Sequence, residues 1–200
     1  MPVQIAGDYV TAGTSLIPLA TFPNLVEQHL HRCPTTRCLE QEAAVLKGAD
    51  FPEGELERFI RSVCKWGNYA GIAGRIINQN PIETIRQHFR AAVHILEVSP
   101  LDAQGALQEI NQIRQLGRPS FASKHLRFLR PDVCPVLDRI LSGELNYQLN
   151  PKGYKLLAED CIRIAEILES NQVANPMNRD NGRWFAADVE MALFARVSNL

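Results

Sequence analysis

The sequence lacks an apolar run of membrane-spanning length, and it lacks an N-terminal basic region followed by an apolar core. We therefore expect a cytoplasmic protein with no membrane partner. The five cysteines are odd in number and scattered, which indicates reduced thiols rather than a disulfide framework. Charge of neither sign dominates, because 21 lysines and arginines accompany 22 aspartates and glutamates. Since duplex-binding proteins are usually basic overall, DNA binding would require a local basic patch.

No segment alternates apolar and polar residues convincingly, whereas helical periodicity recurs along the chain. We therefore predict an all-α fold. Residues 1–23 carry scattered Gly, Thr and Pro without a clear period, and we expect an irregular N-terminal arm with a short extended piece near 3–5. We predict two regions: residues 1–50 form an arm with short helices, and residues 51–200 form one helical domain. Within these regions, helices are predicted over about 25–31, 39–47, 55–65, 81–96, 102–113, 121–129, 150–169 and 184–197.

One lysine is out of place in the helix predicted over 121–129. Gly117 and Pro119 interrupt the preceding helix, and Ser120 is the predicted N-cap. Lys124 lies inside the apolar stripe of Phe121, His125, Phe128 and Leu129. Burial lowers the pKa of an amine, and an amine needs a lowered pKa to act as a nucleophile at neutral pH. The alternative is that Lys124 lies at the edge of the stripe and extends to water.

An aspartate follows in a short apolar loop. Pro135 rules out helix immediately before Asp138, so Asp138 is predicted to cap the next helix. Capping does not exclude chemistry, because a carboxylate at a helix N-terminus stays ionised and has a fixed direction.

Two further clusters each allow two interpretations. Trp66 and Tyr69 lie in the stretch 66–75, which contains three glycines, and their rings could stack on a base or pack in the core. His29, His31, Cys33 and Cys38 are zinc-ligand residue types, but their spacing is not that of a standard site. We predict no metal and no cofactor.

Three segments together carry a family resemblance: Gly117 with Ser123-Lys124, Pro135-Val136-Leu137-Asp138, and Arg183 to Phe194. They resemble the helix-hairpin-helix DNA glycosylase superfamily, in particular the 8-oxoguanine DNA glycosylase (OGG) fold. The resemblance covers about 55–198 and extends to the compact bacterial OGG-fold proteins associated with CBASS antiphage operons. It implies a helical bundle in two lobes, with DNA and other defence-operon components as partners.

The same resemblance implies a reaction. Lys124 would attack the sugar of a flipped-out, modified purine-like nucleotide and form a Schiff base, with or without AP-lyase activity, and Asp138 would stabilise the cationic sugar. The residues implied to bind the substrate are Trp66, Tyr69, Arg118, Ser120, His125, Arg127 and Asp188. For the arginines, a solvated surface is the alternative. Two other functions stay open: an OGG-fold module that binds a modified base, nucleotide or partner protein without cleavage, and an enzyme acting on a smaller substrate.

Overall fold

The computed structural model describes residues 3–99 and 101–198, and it is mostly helical, with 66% helix. The coarse fold prediction is thus confirmed. None of the helices in the described residues is long and apolar enough to cross a lipid bilayer. The ten α-helices in these two ranges are α1 (Phe22–Arg32), α2 (Thr36–Gly48), α3 (Glu53–Trp66), α4 (Ala73–Gln79), α5 (Ile82–Val98), α6 (Ala103–Ile110), α7 (Pro119–Leu129), α8 (Arg139–Leu145), α9 (Pro151–Ser170) and α10 (Ala186–Val197).

The expectation of an irregular N-terminal arm is wrong, although the extended piece predicted near 3–5 is confirmed as a strand. A three-stranded antiparallel sheet in the order β1-β2-β3 occupies this region: β1 is Val3–Ala6, β2 Tyr9–Ala12 and β3 Ser15–Pro18. Gly7 and Gly13 make the turns, with φ of +55° and +60°, a backbone region that favours glycine. Each strand has four residues, which is too short for an alternating pattern to stand out. Residues 1 and 2 of the predicted arm lie outside the described residues.

The hydrophobic core runs from the sheet to the last helix. Val3, Val10 and Ile17 are buried in the same cluster as Phe22 of α1 and Ala195 of α10. Helices α1 and α10 pack against each other, and α10 also packs against α8 and α9. The division near residue 50 stays a prediction, and the core itself extends across it.

Helix α7 begins two residues before its predicted start. Pro119 occupies its first turn, where a fixed φ and a missing N–H suit a helix N-terminus. Arg118 takes the N-cap position without a side-chain cap, so the prediction that Ser120 caps this helix is wrong. The capping prediction for Asp138 is confirmed at α8, as is the helix start at Asn150 and Pro151 for α9.

A buried chain of ions joins four parts of the fold. Arg127 of α7 pairs with Glu40 of α2 at 2.8 Å, and Arg179 pairs with Glu40 and with Asp188 of α10, each at 2.6 Å. The side chains of Arg127 and Asp188 are both fully buried. This corrects the prediction that they bind substrate, because their charges are enclosed and paired within the fold.

Replacing Glu40 with glutamine is expected to lower the free energy of unfolding by about 3–5 kcal/mol, because Arg127 would remain a buried charge without its partner. Glu42, in the same helix, pairs with the exposed Arg58, so Glu42→Gln should cost less than about 1 kcal/mol. Urea unfolding of the two variants measures the difference. Equal costs would contradict the assigned role of Glu40.

Candidate active site

Lys124 and Asp138 meet in the structure. Only 10% of the Lys124 side chain is exposed, and its Nζ lies 3.8 Å from Oδ2 of Asp138. The other oxygen of Asp138, Oδ1, accepts backbone hydrogen bonds from Ile140 and Leu141 at 3.0 and 3.1 Å. The aspartate therefore caps α8 with one oxygen and faces the amine with the other.

A hydrogen bond made by the neighbouring residue of α7 holds this geometry. The hydroxyl of Ser123 accepts the backbone N–H of Leu137 at 3.1 Å, and both groups are buried. Ser123 precedes Lys124, and Leu137 precedes Asp138. This hydrogen bond therefore ties the backbone next to Asp138 to the helix position next to Lys124. The short loop between α7 and α8 thus acts as a rigid support for the carboxylate.

The pKa of Lys124 is lower in the folded protein than in water. Burial lowers the pKa of its ammonium group, while the negative charges of Asp138 and Glu190 act in the opposite direction. Ser120, predicted as a cap, instead lies beside the amine: its carbonyl oxygen accepts from Nζ at 3.3 Å and its Oγ is 3.5 Å away. Lysine nucleophiles in proteins are activated by this kind of desolvation.

Glu190 of α10 is a third ionisable group here, and the sequence analysis did not single it out. Its side chain is buried, and Oε2 has no hydrogen-bond partner among the described residues. Its pKa is raised to about 8: burial is the largest cause and Asp138 acts in the same direction, whereas Arg127 and Lys124 act to lower it. The available signal was a glutamate within the otherwise apolar run of α10, between Val189 and Met191.

This pKa predicts a stability profile. A carboxyl whose folded pKa is raised from 4.5 to about 8 binds its proton more tightly when folded, so stability falls as pH rises between these values. Glu190→Gln has no such proton to lose. The variant should match the parent near pH 5 and become the more stable protein by pH 9, measured by urea unfolding. The control is Glu166→Gln, which changes an exposed glutamate. The raised pKa of Glu190 would be contradicted if the stability of Glu190→Gln and of the parent changed equally with pH, or if Glu166→Gln diverged from the parent in the same way.

The glycine-containing stretch after α3 reaches the lysine, as expected from the sequence. A Cβ built on Gly67 would lie 2.7 Å from Cδ of Lys124 and would also overlap the ring of Tyr69. Tyr69 stacks on Phe121 with ring centroids 4.6 Å apart and an interplanar angle of 19°. These contacts fill the space between the glycine-containing stretch and Lys124.

Gly67→Ala should therefore displace Lys124 or Tyr69 and slow any reaction of the amine by about 10–100-fold, since small misplacements of reacting groups are costly. Gly71→Ala is the matched control, because a Cβ there meets no atom within 4 Å. The measurement is the rate of borohydride trapping of an aldehyde probe on Lys124. Equal rates in the two variants would show that the close approach of Gly67 does not position the amine.

The remaining predicted residues divide into structural and accessible ones. Trp66 donates its indole N–H to Thr36 at 2.9 Å and packs edge-on against Phe128, which supports the core interpretation. His125 is fully buried and burial lowers its pKa to about 4. An imidazole enclosed in the core does not reach a substrate, which corrects the prediction that His125 binds it. Arg118 is exposed at the start of α7 and remains available to a ligand.

The histidine and cysteine cluster shows no metal geometry. His29 is buried against the rings of Trp66 and Phe194. Within residues 3–99 and 101–198, no group of three or more His, Cys, Asp or Glu side chains is placed to hold a metal ion.

Comparison of the chain with protein-family models, with curated proteins and with solved structures gave no match, so the geometry of Lys124, Asp138 and Glu190 carries the functional argument.

Proposed function

We propose that the protein is a DNA N-glycosylase that uses Lys124 to form an imine with the sugar of a modified purine-like nucleotide. The observation that carries this proposal is the buried amine of Lys124 held 3.8 Å from a carboxylate oxygen of fixed direction. An exposed lysine would stay protonated at neutral pH, whereas burial favours the neutral nucleophile.

In the proposed reaction, Oδ2 of Asp138 accepts a proton from Lys124. The neutral amine forms a bond to C1′ of the sugar as the bond from C1′ to the base breaks, and the base leaves with that electron pair and takes the proton held by Asp138. Opening of the sugar ring transfers one of the two remaining Nζ protons to the ring oxygen and gives the protonated imine. Water then hydrolyses the imine, or β-elimination cleaves the strand as in an AP lyase.

The family resemblance gives the proposal its substrate class. In this interpretation the turn between α6 and α7 corresponds to the hairpin, and the exposed Arg118 contacts a DNA phosphate. The flipped-out base would enter where Tyr69 now stacks on Phe121, so Tyr69 moves aside or stacks on the base itself. A role in an antiphage operon of the CBASS type belongs to the same proposal.

A second candidate is a non-catalytic module that binds a modified base, a nucleotide or a partner protein. The observation that favours it is the stacked pair of Tyr69 and Phe121 beside the amine, because a closed site suits a receptor that opens only for its ligand. The near-neutral net charge of −1 also suits a ligand smaller than a DNA duplex, such as a nucleoside.

The two candidates differ in covalent chemistry. The test incubates the protein with borohydride and DNA duplexes that each carry one damaged or modified base, together with an abasic-site duplex. A glycosylase gives a trapped adduct at Lys124, identified by peptide mass, and free base. Reversible binding of a modified base with no adduct on any DNA would favour the binding module and contradict the glycosylase.

A further inference from the structure

A cleft lies at the C-terminal end of α7. It has a volume of about 520 Å³ and is bordered by α2, by the C-terminal end of α7 and by residues 177–185. Neither Lys124 nor Asp138 lines it. Clefts of a few hundred Å³ are the usual size of small-ligand sites.

The cleft has an excess of positive charge. Five cationic side chains and two carboxylates line it, which leaves three positive charges. Two of the arginines are neutralised locally, Arg130 by Asp132 at 2.7 Å and Arg179 by Glu40 at 2.6 Å. The three cations that form no ion pair with any described carboxylate are Arg37, Lys47 and Arg183.

These three cations are held in place by groups that do not cancel their charge. Arg37 donates to the carbonyl oxygen of Pro176 at 2.7 Å, and Nζ of Lys47 donates to that of Leu129 at 3.4 Å. The guanidinium of Arg183 lies 5.6 Å from the ring centroid of Phe185. Each side chain is thus oriented by a neutral partner while its charge stays available to an anion.

We propose that this cleft binds a phosphate ester through Arg37, Lys47 and Arg183. A phosphate group offers several acceptor oxygens, which suits two guanidinium groups and one ammonium group converging from different elements. The ligand is either a free nucleotide or the backbone of a nucleic acid strand, since both present this group. The site is separate from Lys124, and it does not depend on the proposed glycosylase chemistry.

The experiment titrates the whole protein with three probes in low salt: deoxyguanosine, deoxyguanosine 5′-phosphate and a ten-nucleotide single-stranded DNA. We expect the phosphorylated probes to bind and the nucleoside not to bind. The cleft variant Arg37→Gln/Lys47→Gln/Arg183→Gln should weaken binding about tenfold or more, through loss of charge-assisted hydrogen bonds. The control Arg61→Gln/Lys152→Gln/Arg196→Gln removes three exposed cations outside the cleft and should bind as the parent does.

The probes distinguish the two sources of phosphate. A free-nucleotide site binds the mononucleotide as tightly as the oligonucleotide. A strand site prefers the oligonucleotide, and the slope of its log affinity against log salt concentration becomes shallower by about 0.7 for each phosphate that the cleft variant no longer neutralises. The proposal is overturned if the parent binds neither phosphorylated probe, or if the cleft and control variants show equally weakened affinity. The test measures reversible binding and involves no imine, so failure of the imine chemistry leaves it intact.

Discussion

The Lys124→Gln variant is expected to lose all borohydride trapping and base excision while remaining folded. Glutamine cannot form an imine, so the loss should reach the detection limit rather than a partial decrease. Folding should survive because Nζ makes only long contacts, at 3.3 and 3.5 Å to Ser120 and 3.8 Å to Asp138. Asp138 keeps both backbone hydrogen bonds in the variant. The melting temperature should change by less than about 3 °C, the shift that 1 kcal/mol produces in a chain of this size.

The control for this prediction is Lys155→Gln, which removes a half-exposed lysine from α9. This variant should form the borohydride-trapped adduct as the parent does, since borohydride reduces the imine formed at the site and an exposed lysine elsewhere does not contribute to it. Trapping that persists in Lys124→Gln, with the adduct on another lysine, would show that Lys124 is not the nucleophile. A variant that fails to fold would instead assign Lys124 a structural role.

Replacing Asp138 with asparagine is expected to separate its two roles. Asparagine caps a helix as well as aspartate does, so α8 and the melting temperature should be retained. It has no negative charge with which to accept the proton of Lys124 or to stabilise a cationic sugar. General acid–base groups contribute about 10²–10⁴-fold in rate, and the loss in single-turnover excision should fall in this range.

The companion variant Asp138→Ala tests the other role. It removes the oxygen that accepts from Ile140 and Leu141, and loss of such a cap costs about 1 kcal/mol. Both variants should therefore be equally slow, while only alanine lowers the melting temperature. Normal excision by Asp138→Asn would remove the carboxylate from the chemistry and leave it as a cap.

The helices other than α4 were predictable because their signals are local. Asp102, Asp138 and Asn150 each cap a helix with a side chain bonded two or three residues ahead, and such short-range patterns are visible in the sequence. The N-terminal sheet was missed because its strands are short and gain their stability from the core they cover. The start of α7 was placed too late because Pro119 fits the first turn as well as it fits a helix break.

The site was predictable only in part, because only some of its contacts join residues that are close in the sequence. Lys124 and Asp138 are close in sequence, and a turn brings them together. Glu190 comes from α10, and nothing near it in the sequence tells which charges it will face. Arg127 was predicted to bind substrate because the sequence shows a charged side chain without showing its partner. That partner, Glu40, lies on α2, far away in the sequence, and only the packing of the two helices brings the charges together.

The packing of α1 against α10 has a consequence for biosynthesis. Ribosomes deliver the chain at about 5–20 residues per second from its N-terminus, so α1 leaves the ribosome well before the helix that covers it. Lys124 and Asp138 also emerge before α10, which supplies Glu190. Until α10 docks, the carboxyl group of Glu190 is solvated and ionises as it does in an unfolded chain. The raised pKa of Glu190 is therefore acquired only when α10 docks.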